Sequence, residues 1–118
     1  MSELLEKIGQ LDGIDINDGL RRMMGKESLY ERCLKLFCTQ ARASKLCEYV
    51  LTEDYENAYK DAHSLKGVTG NLSITVLHDL YAEFVRLYYA KEYSSLAEIC
   101  AKIAVTQKMF CDVIETVN

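Results

Sequence analysis

The sequence predicts an all-α fold, an up-down-up-down four-helix bundle preceded by one or two short N-terminal helices. Three observations carry that expectation. None of the 118 residues is proline, where average composition would supply about six. Apolar residues recur at helical spacing along nearly the whole chain. The few glycines fall mostly where a helix is expected to stop or turn.

The first helix is expected from about Glu3 to Gly9, presenting Leu4, Leu5 and Ile8, with residues 10–16 as a loop. Asn17 or Asp18 can cap a second short helix that carries Leu20, Met23 and Met24 and ends near Gly25. The longest helix spans about Lys26 to Leu51. Its stripe is Leu29, Tyr30, Cys33, Leu34, Phe37, Ala41, Ser44, Leu46, Cys47 and Val50. Thr52 has the outline of a cap for the next helix, which runs from about Glu53 through Gly67 and Gly70 until Ser73 breaks it. A fifth segment near Ile74 to Ala90 buries Leu77, Leu80, Tyr81, Phe84, Leu87 and Tyr88. The last, from about Tyr93 to Val117, buries Leu96, Ile99, Cys100, Ile103, Met109, Phe110, Val113 and Ile114.

A composition of 49% hydrophobic and 27% charged residues is that of one globular domain, 1–118. The net charge of −4 and the lack of a basic face argue against a nucleic-acid partner. No apolar run approaches the ~20 residues of a membrane span. Met1 to Lys7 lacks the pattern of a signal peptide, so a cytosolic protein is expected. The five cysteines have no C-x-x-C spacing and read as reduced thiols packed in the core, with Cys38 the best candidate for an exposed one. Neither histidine has a Glu three residues before it, which argues against a di-metal carboxylate site: Lys60 precedes His63 and Thr75 precedes His78.

The segment from Tyr59 to Leu72 departs from helical economy. Its core stripe is Tyr55, Ala58, Ala62, Leu65, Thr69 and Leu72, which leaves His63 about 120° away, facing solvent. Gly67 and Gly70 follow on that outer side, and each costs about 1 kcal/mol relative to Ala inside a helix. Fraying beside an incidental histidine is one explanation. The other is a cleared strip on which a partner brings a reactive group to the imidazole, with the Lys66 ammonium at its edge to balance phosphoryl charge. A neutral imidazole is already a nucleophile near neutral pH and needs no general base. By contrast His78, at the boundary of its stripe and with no lysine three residues on, reads as structural.

The run His63-Ser64-Leu65-Lys66-Gly67-Val68-Thr69-Gly70-Asn71-Leu72 resembles the signature of the histidine-containing phosphotransfer (HPt) family. Gly13-Ile14-Asp15, Gly19-Leu20-Arg21, Leu29-Tyr30, Leu34 and Phe37 are similar to that family's N-terminal portion, so the resemblance covers nearly the whole chain. Ser73 stands where many members have glycine, and Val85 where some have a glutamine that supports the acceptor imidazole. The resemblance implies a stand-alone phosphocarrier without its own cofactor, passing a phosphoryl group between aspartates of response-regulator receiver domains. A hybrid sensor histidine kinase is a further implied partner, and Mg²⁺ belongs to the receiver. It assigns His63 as phosphoacceptor, Lys66 as the charge-balancing residue and Gly67 and Gly70 as clearance. Ile14, Ile16, Leu20 and Met24, apolar yet outside the main stripes, are candidates for the docking rim. A monomer satisfies the stripes. The competing expectation is a helical module that docks on a receiver or kinase without carrying phosphate.

Overall fold

Helix-forming periodicity without proline gives helices throughout the computed structural model, which describes residues 1–116. The elements are α1 (Glu3–Ile8), α2 (Ile16–Arg22), α3 (Glu27–Ala43), α4 (Leu46–Leu51), α5 (Tyr55–Asn71), α6 (Thr75–Tyr89), a 3-10 turn (Tyr93–Ser95) and α7 (Leu96–Thr116). The expected end at Val117 lies outside the described residues. No strand occurs among those described.

The particle measures 43 × 24 × 20 Å. α5 packs most extensively on α6, α6 on α7, and α3 against α7 and α5, while α1 and α2 rest on α3. One core cluster, from Leu5 to Ile114, holds Tyr30, Phe37, Tyr81, Phe84 and Phe110. Each such ring is worth about 1.5–3 kcal/mol when fully buried. On the inner face of α5 the residues are small, Ala58 and Ala62, and the helix turns that face wholly inward. α2 also approaches closely: a side chain at Gly19 would run into the phenol ring of Tyr30, whose hydroxyl donates to the Leu72 carbonyl at 2.6 Å.

Four expectations are corrected. The single helix from Lys26 to Leu51 is two, because Ser44 leaves the helix in an extended conformation. Asp61 of α5 holds the break open, its Oδ2 accepting from the Ser44 hydroxyl and the Lys45 N–H, both at 3.2 Å. The new start turns α4 relative to α3, so Leu46 and Val50 remain buried but Cys47 is exposed. Cys38, expected to be the most accessible thiol, is 2% exposed. Met109, placed in the core from its spacing, is 44% exposed.

Caps shift by a few residues. Asp15 accepts from the Asp18 N–H at 3.0 Å and starts α2, in place of Asn17 or Asp18. Asp54 accepts from the Asn57 N–H and starts α5, while the Thr52 hydroxyl donates back to the Glu48 carbonyl. The 3-10 turn Tyr93–Ser95 precedes α7, which therefore begins at Leu96.

At the other ends, α2, α4, α5 and α6 each run into a left-handed residue that is not glycine: Met24, Glu53, Ser73 and Lys91. The next N–H in each case reaches back five residues to a carbonyl of the last turn, from Gly25 to Leu20, Asp54 to Tyr49, Ile74 to Thr69 and Glu92 to Leu87, at 2.7–3.0 Å. This is the Schellman closure, usually built on glycine.

The N-terminal loop then clamps the α5–α6 turn. The Asp15 N–H donates to the Ser73 carbonyl at 2.9 Å, the Val76 N–H to the Gly13 carbonyl at 3.1 Å, and the Ser73 hydroxyl to Asp18 Oδ2 at 2.6 Å. Ser73, with φ +57°, thus holds a conformation that favours glycine while its hydroxyl makes a bond that glycine cannot.

Candidate functional site

The inward stripe of α5 fixes its outer face. Ala58, Ala62, Leu65 and Thr69 are buried, which leaves His63 exposed on the other side. One neighbour constrains it from the N-terminal direction. The Tyr59 ring, one turn earlier, stacks on the imidazole with centroids 5.8 Å apart. Tyr59 is itself stacked on Tyr88 of α6 at 4.6 Å, and its hydroxyl pairs with that of Tyr89 at 2.7 Å. Beside His63, the Ser64 hydroxyl accepts from Gln40 of α3 at 3.1 Å.

In the C-terminal direction the two glycines behave differently. A Cβ at Gly67 would meet nothing within 4 Å, so the surface one turn beyond His63 is open. A Cβ at Gly70 would lie 3.0 Å from Nδ1 of His78. The room at Gly70 is occupied by the His78 ring, whose Nδ1 lies 3.1 Å from the Lys66 carbonyl oxygen. A carbonyl only accepts, so His78 carries its proton on Nδ1 and acts as a tie between α6 and α5.

Lys66, Gly67 and Gly70 line a cleft of about 400 Å³ together with Asp18, Arg22 and His78. Asp18 is engaged on every side: Arg22 Nε at 2.8 Å, the Arg21 guanidinium and the Ser73 hydroxyl. The Ser73 hydrogen bond, then Arg22, hold its carboxyl well below the usual range, at about 2. Lys66 has no ion-pair partner among the described residues, so its ammonium is free for a ligand's charge.

Beside Val68 lies a second depression, an apolar groove of about 290 Å³ lined by Met23, Cys33, Leu36, Phe37, Val68 and Leu72. Leu36 is 61% exposed and Met24 82% exposed. Of the four expected rim residues, Ile14, Ile16 and Leu20 are half-buried against the core and Met24 alone stands out in solvent. Val85 is in the core.

The structure therefore sets His63, Lys66 and Gly67 about one turn apart on α5, fills the room at Gly70 with the His78 ring, and leaves Ile14, Ile16 and Leu20 half-buried with Met24 fully in solvent. Sequence reasoning missed Tyr59 and Leu36. Tyr59 stands four residues before His63, a spacing that places two rings on one helical face and was available as a signal. Leu36 gave no such warning, being one more apolar residue in an apolar helix.

Comparison with family models, with curated proteins and with solved structures gives no match. An exposed imidazole with no hydrogen-bond partner among the described residues can act as a nucleophile, and an ammonium one turn away with no ion-pair partner among them can offset anionic charge.

Proposed function

We propose that the protein is an HPt-type phosphocarrier of the four-helix kind, with α3, α5, α6 and α7 as the bundle and α4 as an appendage. The observation that carries this is the exposed His63 with open space at Gly67 one turn beyond it, a nucleophile beside room for another protein. The partner in this reading is a phosphorylated receiver domain, which supplies Mg²⁺ with its aspartyl phosphate.

The transfer is a single displacement. The lone-pair nitrogen of His63 attacks phosphorus, the bond from phosphorus to the aspartyl oxygen breaks, and the aspartate leaves as carboxylate. The new P–N bond leaves the ring with a proton to release to water. Lys66 faces the anionic oxygens as they arrive, and Tyr59 limits the rotation of the ring that receives them. Running backwards, the same step delivers phosphate to a second receiver.

The test is phosphorus NMR of the protein mixed with a receiver domain, Mg²⁺ and acetyl phosphate. A phosphohistidine resonance that disappears in His63→Gln supports the carrier. A receiver shown to bind and to be phosphorylated, yet giving no such resonance, favours the docking-only module, for which the apolar groove beside Val68 speaks.

A further inference from the structure

Two thiol pairs lie along the seam where α7 meets α3 and α4. At one end Cys38 and Cys111 face each other beneath the Arg42–Glu115 ion pair, with the two sulfurs and a Glu115 carboxylate oxygen all within 4.8 Å. Both thiols are 2% exposed. At the other end Cys47 of α4 meets Cys100 of α7, and here the pair is asymmetric: Cys100 is buried and Cys47 is exposed. The Cys47 thiol donates to the Cys100 carbonyl oxygen at 3.5 Å, which sets the two residues side by side where α4 meets α7. A cleft of about 190 Å³ opens beside it, lined by Ser44, Lys45, Glu48, Tyr81 and Gln107.

We propose that Cys47 and Cys100 form a peroxide-sensitive dithiol, with Cys47 as the sulfur that is attacked from solvent and Cys100 as the resolving thiol. Exposure beside an open cleft and a second cysteine packed against the first are the features that separate a redox cysteine from a packed one. Lys45 lines the same cleft and has no ion-pair partner among the described residues. Pairing with Cys47 and burial push the Cys100 thiol up and the same pairing lowers Cys47, in line with their exposure: Cys47 is the sulfur that solvent reaches and Cys100 the one that it does not.

The chemistry closes with hydrogen peroxide as oxidant. The Cys47 thiolate attacks one peroxide oxygen; the O–O bond breaks, an S–O bond forms, and hydroxide leaves to become water with the proton that Cys47 released. The Cys100 sulfur then attacks the sulfenic sulfur of Cys47, the S–O bond breaks, and its oxygen departs as water with the Cys100 proton. Two electrons pass from the sulfur pair to peroxide, and α4 becomes covalently tied to α7. This device stands apart from His63 and holds whether or not the protein carries phosphate.

The experiment is intact mass and peptide mapping of the reduced full-length protein after treatment with hydrogen peroxide. Expected are the loss of two hydrogens, a Cys47–Cys100 cross-link in the map, and Cys33, Cys38 and Cys111 still open to alkylation after unfolding. In Cys100→Ser, checked for helicity by circular dichroism, the oxidised species is a sulfenic acid on Cys47 that dimedone captures. Before oxidation, native Cys47 takes iodoacetamide at least about tenfold faster than Cys111. A Cys38–Cys111 cross-link in place of Cys47–Cys100, disulfide dimers through Cys47, or alkylation of Cys47 no faster than of Cys111 would each overturn the proposal.

Discussion

His63 and His78 show how surroundings decide what an imidazole can do. His78 is threaded between helices: its Nδ1–H is used by the Lys66 carbonyl and its ring fills the room beside Gly70. His63, three residues before Lys66 on α5, has an aromatic wall on one side and open surface at Gly67 on the other. A glycine accompanies each ring, but one glycine makes space that the protein fills and the other makes space that it leaves. Helical position alone does not separate the two uses; the neighbouring helix does.

The largest effect expected is on the histidines themselves. His63→Gln lowers phosphate transferred from a receiver by more than about 100-fold, whereas His78→Gln leaves transfer within a few-fold and lowers the melting temperature. Transfer in a radiolabelled assay beside thermal unfolding separates the two, and equal transfer losses would erase the contrast. Next, Lys66→Ala slows transfer by roughly tenfold, the scale of one charge-assisted contact, with unchanged helicity.

The glycines sharpen the comparison further. Gly67→Ala adds a methyl group to open space and removes a helix cost, raising stability by about 0.5–1 kcal/mol and the melting temperature by about 4 °C. Gly70→Ala meets His78 and shows little of that gain. Calorimetry on both variants decides it; equal gains would mean that the His78 ring yields freely.

The smallest effect is one of pH. Asp18 titrates at about 2 in the folded chain and near 4 when unfolded, so its pairing with Ser73 and Arg22 contributes above about pH 4 and is lost as pH falls towards 2. Amide exchange in α2 is expected to accelerate over that interval, and Asp18→Asn to remove the pH dependence. Acceleration surviving in Asp18→Asn would place its cause elsewhere.

Much of this was legible in the chain. The α5 stripe placed His63 outward, and the spans of α5, α6 and α7 follow their apolar periods to within a few residues. The break between α3 and α4 was not legible, because Ala43-Ser44-Lys45 contains neither glycine nor proline and the carboxylate that opens it, Asp61, arrives from another helix. The same cause hid the exposure of Cys47, while Cys38 is covered by α7, whose Cys111 lies against it. At the candidate site, Gly70 was misjudged for a related reason: its neighbour His78 is close in space and eight residues away in sequence. Local pattern reports the face of a helix; it does not report what the next helix lays upon it.

The four left-handed helix ends carry one more consequence. Met24, Glu53, Ser73 and Lys91 each hold a conformation that costs a side-chain-bearing residue about 1 kcal/mol or more, and none offers the local instruction that glycine would. In an isolated peptide these helices have little reason to stop where they do. Their limits come into being only as neighbours dock, as when the Asp15 amide and Asp18 carboxylate engage Ser73. Secondary structure and assembly are then one event, and the chain is expected to fold and melt in a single cooperative step, with no stage at which finished helices await packing.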